Sequence, residues 1–234
     1  MNWLDRVFGN KPALTSEQIR RLTAWQSLPA TDQESPLDEG RCVVVDVESS
    51  GLNIRKDRLI AIGAVAVTQG NIHLNDSLEI VLQQAQISGK DNILIHGIGS
   101  TAQREGMPPV DAMLTFLEYL GKDPLIAFHV AFDESMISRA MSTFLGFRFR
   151  HNWVDLAYVA PALHPQLARQ YRSLDDWMGF FRISNYARHN ALADALSTAE
   201  LLLALRDALQ VRRAASIRGM KALEREGQRQ IQPF

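Results

Sequence analysis

The segment Cys42 to Glu48, CVVVDVE, constrains this chain most, because a run of β-branched residues ends in two carboxylates at alternate positions. A continuous valine run reads as a strand buried on both faces, which requires packed layers above and below it. Asp46 and Glu48 stand at i and i+2, so they project from the same face, about 7 Å apart along the strand. Ser49, Ser50 and Gly51 follow as a tight turn and leave both acids at the rim of the sheet, where open α/β sheets place ligands. On its own, a D-x-E at a strand end reads first as turn and cap chemistry.

The surrounding pattern supplies the layers. Arg58 to Leu82 holds two strand-like runs joined by the turn signal Gln69-Gly70-Asn71, a hairpin. Helices are expected at Pro109 to Leu120, Asp133 to Phe144, Ser173 to Phe181 and Ala191 to Val211, with strands at Leu125 to His129 and around Trp153 and Val154. A hairpin followed by alternating strands and helices gives an α/β fold with a mixed β-sheet flanked by helices. Ahead of it, Thr15 to Trp25 is an amphipathic helix, with Ile19, Leu22 and Trp25 on one stripe and Thr15 and Gln18 spaced as a capping box. Leu28 to Gly40 is rich in Pro, Asp, Glu, Ser and Gly and reads as a linker. The expected organisation is therefore an N-terminal helix and linker over 1–40, a main domain over 41–211 and a basic tail over 212–234. That tail carries Arg212, Arg213, Arg218, Lys221, Arg225 and Arg229 against Glu224 and Glu226, and reads as a solvated extension.

Composition removes several function classes. With 234 residues, 46% of them hydrophobic, the chain builds one ordinary core. Cys42 is the only cysteine, which excludes intramolecular disulfides and zinc ribbons and fits a reducing, cytoplasmic setting. A net charge of -1 excludes holding nucleic acid or anionic lipid by bulk charge, so any polyanion contact must be local. No apolar run reaches the ~18 residues of a membrane span, and Met1 to Asn10 lacks the apolar core of a signal peptide, so no membrane association is expected.

Three further residues fall at element boundaries. Asp133 follows the run LIAFHVAF, where a helix N-cap is the simplest reading, and His189 and Asp194 sit five apart at the start of the last long helix. Neither observation carries weight alone. Together with Asp46 and Glu48 they give four acids and one histidine at the ends of strands and the starts of helices, the donor set of a two-metal phosphodiesterase. Hard divalent cations such as Mg²⁺ prefer carboxylate oxygen, and a pair of them clamps the attacking and leaving oxygens of an in-line displacement. Histidine is the side chain whose ordinary pKa of ~6.5 suits proton transfer near neutral pH.

These residues carry a resemblance. VVDVESSGL from Val44, AFHVAFD ending at Asp133 and HNALADALSTAELLL from His189 resemble, in order and spacing, the three motifs of the DEDD exonucleases of the histidine subclass. IHGI at Ile95 to Ile98 resembles a loop of the branch containing the proofreading epsilon subunits of bacterial DNA polymerase III. The similarity covers about Arg41 to Leu209. It implies an RNase H-like fold and hydrolysis from a 3′ end, on single-stranded or frayed DNA, to nucleoside 5′-monophosphates. It further implies that Asp46, Glu48, Asp133 and Asp194 bind two Mg²⁺ or Mn²⁺ ions and that His189 is the general base. Ser49, Ser50, Gly51 and Leu52 become candidates for contact with the terminal nucleotide, Leu52 stacking beneath the last base or, equally, serving as a packing residue. One departure stands out: Val130 follows His129 where the family usually has Asn, which leaves open how the penultimate nucleotide is held. His129 reads as a core histidine, with a catalytic role as the alternative; Asp155 reads as a helix cap before a metal ligand, and His96 as a residue ordering its loop before a substrate contact.

Two other functions fit the same residues, an RNA-trimming exoribonuclease of the same fold and a non-catalytic nucleic-acid- or polymerase-binding module. The terminal Gln230-Ile231-Gln232-Pro233-Phe234 resembles the short glutamine-to-phenylalanine peptides that dock on the sliding clamp, with a merely disordered end as the alternative.

Overall fold

In the computed structural model, which describes residues 13–185 and 187–231, the valine run is the central strand of a five-stranded mixed sheet. Strand β1 (Arg41–Ser49) pairs antiparallel with β2 (Leu59–Thr68), which pairs antiparallel with β3 (Asn71–Val81). On its other edge β1 runs parallel to β4 (Leu125–Ala127), and β4 runs parallel to β5 (Trp153–Asp155), giving the order β3-β2-β1-β4-β5. The hairpin turn is Gln69-Gly70, both with positive φ, the two-residue geometry that twisted antiparallel strands favour.

The alternation of β1 divides the core in two. Val43, Val45 and Val47 face helices α1 (Ser16–Gln26), α4 (Pro109–Leu120) and α5 (Val130–Leu145). Helices α2 (Lys90–His96) and α3 (Ser100–Glu105) lie in the connection before α4. Cys42 and Val44 face the opposite layer, built from α6 (Leu156–Leu163), α7 (Leu174–Phe181), α8 (Ala191–Ala204), α9 (Arg206–Val211) and α10 (Ile217–Ile231). The even-numbered acids of β1 therefore lie on the side of α8. Asp46 stands opposite Gly63 of β2, and a methyl group at Gly63 would overlap the Ala191–Leu192 peptide. Glycine here lets the first turn of α8 lie directly on the sheet.

Several expectations change in the structure. Helix α1 has its capping box, with Gln18 N–H donating to Thr15 Oγ1 and Thr15 N–H to Gln18 Oε1, but only Leu22 and Trp25 of its stripe are buried, while Ile19 is exposed. Trp25 Nε1 donates to the Gly121 carbonyl at 2.6 Å, fastening α1 to the end of α4. Segment 28–40 is not a free linker: Leu37 N–H donates to the Ala215 carbonyl, Arg218 N–H to the Gln33 carbonyl, and Pro36 forms a bridge with Ser216. The basic stretch is not a solvated tail over its described part. Four of its six cations lie on an amphipathic helix, α10, which buries Ile217, Met220, Leu223 and Gly227. Its Gly227 sits so close to the Tyr158 carbonyl of α6 that a methyl group could not be accommodated. The clamp-like peptide begins inside α10 at Gln230 and Ile231; Gln232 to Phe234 and Met1 to Asn10 lie outside the described residues.

A sign reversal tests this docking. On a solvated helix, Gly→Ala is stabilising by up to ~1 kcal/mol. Gly227→Ala is expected to destabilise by about 1–3 kcal/mol, the cost of overpacking a filled interface, read as a lower urea midpoint.

Candidate active site

The C-terminal end of β1, the first turn of α8 and the start of α5 meet at one rim of the sheet. Asp46, Glu48 and Asp194 each bring a carboxylate oxygen within 4.8 Å of the others. Asp133 is buried in the first turn of α5 and reaches the same rim from the opposite layer, which explains why it adjoins the three without joining their cluster. It is not the N-cap of its helix. The helix begins earlier, at Val130, behind His129 in the left-handed conformation. The capping carboxylate comes from Asp155, whose oxygens accept from His129 N–H at 2.9 Å and Val130 N–H at 3.1 Å, and from Ala157 N–H at the start of α6. One buried acid thus fixes two helix starts, and the expected cap role of Asp155 is met twice over.

Crowding governs the electrostatics. Burial first, and then the charges of Asp133, Asp194 and Glu48, push the Asp46 carboxyl well above the ordinary carboxylate range. Glu48 is pushed up to about 8 by burial and by Asp194, with Arg188 opposing. Asp133 is raised by burial, against backbone hydrogen bonds that favour its charge. Arg188 is the cation set into this group: its Nη1 pairs with Asp194, and its Nε pairs with Asp175 of α7 at 2.8 Å. Asp194 also accepts from Asn185 Nδ2 at 2.6 Å and from His189 N–H at 3.0 Å. His189 is exposed with φ +62°, placed between Arg188 and the helix cap Asn190. Arg188 and Asn185 were not singled out in the sequence; an arginine adjoining the histidine of the third motif was the available signal.

The segment after the acids uses its hydroxyls internally. Ser49 Oγ donates to the Gly51 carbonyl at 2.7 Å, and Ser50 Oγ bonds Asp57 and accepts from Arg58 N–H. Leu52 is 89% exposed, so it is not a packing residue. Asn92 of α2 donates to the Ser49 carbonyl, and the same helix carries the exposed Ile95, where the IHGI loop begins, and the exposed Leu94, which sequence reading missed. His96 is buried and accepts from Ile98 N–H through Nδ1, as a loop-ordering residue does. His129, expected in the core, is exposed and packs edge-on against Phe128. Its neighbour Val130 is buried in the place where an amide side chain was expected.

The donor set is carboxylate oxygen only, gathered at a rim where like charges need a countercharge, and it fits a hard divalent cation. A family model for exonucleases of the RNase T type matches residues 43–202, two thirds of the chain, and the chain belongs to that family. More particularly, it contains a DEDD 3′–5′ exonuclease domain related to those of bacterial DNA polymerase III. It is 30% identical over 173 residues to the PolC-type DNA polymerase III of Caldanaerobacter subterraneus subsp. tengcongensis, covering 74% of this chain and 12% of that protein. It is 26% identical over 172 residues to DNA polymerase III subunit epsilon of Aquifex aeolicus, covering 73% and 83%. The chain thus spans about an eighth of the length of its PolC-type relatives. Among solved structures, E. coli exonuclease I in complex with a dT13 oligonucleotide matches with a TM-score of 0.62 at 15% identity, over 74% of this chain and 42% of that one. Exonuclease X in complex with 5′ overhanging duplex DNA matches with a TM-score of 0.61 at 17% identity, over 78% and 99%. The fold is the RNase H-like mixed sheet expected from the motifs. No described helix is long and apolar enough to cross a membrane.

Two outcomes follow from the crowding. In the folded, metal-free protein Glu48 keeps its proton up to about pH 8, whereas the unfolded chain loses it near 4.5. The unfolded state then binds fewer protons across this window, so stability is greatest below it and falls as pH rises toward 8. Thermal melts in chelator from pH 4.5 to 8.5 should show the fall, with Mg²⁺ reversing it at the upper end; a flat profile refutes the crowding. Gly63→Ala should cost about 1–3 kcal/mol in urea unfolding and weaken Mn²⁺ binding in calorimetric titration, because it displaces the turn that carries Asp194.

Proposed function

We propose that this protein hydrolyses single-stranded or frayed DNA from its 3′ end, releasing nucleoside 5′-monophosphates. The observation that carries this reading is the convergence of Asp46, Glu48 and Asp194 within 4.8 Å at a strand end. In the proposed site these three, with Asp133, would hold two Mg²⁺ or Mn²⁺ ions. Such cations supply Lewis-acid stabilisation to both the attacking and the leaving oxygen of a displacement at phosphorus. The exposed His189 ring takes the proton of the attacking water. The new P–O bond forms as the bond to the 3′ oxygen breaks, and that oxygen leaves and takes a proton from solvent water to become the 3′ hydroxyl of the shortened strand. Gly51 and the exposed Leu52, with Ser49 and Ser50 shaping their loop, receive the terminal nucleotide, Leu52 offering an apolar face to its base. The same chemistry acts on RNA; DNA is favoured because the relatives include DNA polymerase subunits and a fold match carries a DNA oligonucleotide.

The reading is tested on 3′-labelled DNA and RNA strands and blunt duplex, with Mg²⁺ or chelator. Asp46→Ala should abolish hydrolysis while the protein stays folded, and retained activity removes the metal assignment. His189→Ala should slow turnover by roughly 10²- to 10⁴-fold near pH 7, with partial recovery as hydroxide rises; an unchanged pH–rate profile shows that His189 is not the base. Blunt duplex should be degraded slowly, since its end must first be melted.

A further inference from the structure

A cavity of about 660 Å³ lies beyond the loop that follows the acids, and its lining is strongly cationic. Arg55, Lys56 and Arg58 come from the β1–β2 connection, Arg104 from the end of α3 and Arg139 from α5. The lining holds one carboxylate, Asp57, whose oxygens are engaged by Ser50 Oγ and Asn53 N–H. Five cations around one concavity are unexpected in a chain of net charge -1. None of these five, like several other arginines of the chain, forms an ion pair among the described residues. Two are instead held by neutral acceptors. Arg58 donates to Gln84 Oε1 and to the Gln86 carbonyl, and Arg139 to the Ile54 carbonyl. A guanidinium oriented by neutral groups keeps its full charge and spare N–H donors, the condition for gripping a phosphate.

One wall of the cavity is apolar, beside Gln83, Gln84 and Thr143. Met136, Ala140 and Phe144 recur every fourth residue on one face of α5, and Leu59 joins them from β2. An apolar floor under a cationic rim matches a nucleotide, with its flat base and its phosphate, and the volume lies within the range of small-ligand pockets. None of the four acids lines the cavity, but two elements connect it to them. The connection that starts with Ser50 and Gly51 beside them supplies Arg55 to Arg58 to the cavity, and Arg139 lies six residues beyond Asp133 on α5, about 9 Å along the axis.

We propose that this cavity is a second nucleotide-binding site, which seats a nucleotide of the substrate strand upstream of the 3′ end, phosphate on the cationic rim and base on α5. It rests on the nuclease reading and extends it. A free nucleotide shares this chemistry, and the experiment separates the two sources. Full-length protein carrying Asp46→Asn, which binds without cutting, is titrated with 5′-labelled single strands of two to ten nucleotides and, separately, with a nucleoside monophosphate. The comparison is with the same protein carrying Lys56→Gln and Arg104→Gln, exposed cations whose side chains make no bond among the described residues. Affinity is expected to rise with strand length in the parent, and the double substitution to weaken the longer strands about tenfold and to lower the salt slope by about two. Dinucleotide binding should not change, nor should hydrolysis of a dinucleotide when the double substitution is made with Asp46 intact. Monophosphate binding that the double substitution removes, with no length dependence, supports the site and assigns it to free nucleotide instead of the strand. Equal affinities and slopes for every ligand in the two proteins overturn the site and leave the nuclease reading standing. Inactivity of the wild-type chain on all strands, with length-dependent binding retained, overturns the nuclease reading and not the site.

Discussion

The contact on which the rest of this structure depends is the one between the backbone of α8 and β2 at Gly63. A helix normally stands off a sheet by the thickness of its side chains, but here the Ala191–Leu192 peptide occupies the space of the missing Cβ. Gly63 lies opposite Asp46 in the ladder, so the approach occurs where the strand turns acidic, and Asp194, three residues along the helix from Ala191, arrives at Asp46 and Glu48. Distance is what makes the cluster. Carboxylates this close resist ionising together, and the fold supplies Arg188, itself tethered to Asp175, as the covalently attached countercharge.

The same rim is rigid on its other side for a different reason. His129 is held in a left-handed conformation that L-residues adopt reluctantly, and the Asp155 carboxylate secures it by taking the N–H groups of His129 and Val130. Asp133, four residues on from His129, inherits that placement. Two acids are therefore positioned by local chain geometry on β1, one by a missing methyl group and one by a distant buried carboxylate.

Much of this was legible in the sequence. The valine run, the Gln69-Gly70 turn, the Thr15–Gln18 capping box and the helix at Pro109 to Leu120 each rest on a local rule, and each stands in the structure. The acids could be found because strand alternation places Asp46 and Glu48 on one face from two residues alone. Tertiary properties could not be found this way. Gly63 is one small residue in an alternating run, and its meaning lies in a helix 128 positions later in the chain. Helix α10 was obscured because charge dominates its composition, while the residues it buries are spaced for one narrow stripe. Asp133 was read as a cap because the true capping group comes from β5, and the exposure of His129 turns on a backbone conformation that its apolar neighbours do not reveal.

The interlocking of the two flanking segments bears on what counts as a unit. Leu37 is hydrogen-bonded to Ala215, Gln33 to Arg218, and α10 is seated on α6 through Gly227, while α1 covers the opposite layer with Trp25. The stretch shared with other exonucleases, residues 43–202, is narrower than the stretch that closes the hydrophobic core. Inheritance and cooperativity thus draw different borders on this chain. A fragment cut at the inherited border would keep every acid of the rim yet bare the apolar surfaces beneath α1 and α10, and so would retain the chemistry while losing the solubility and cohesion that hold it in place.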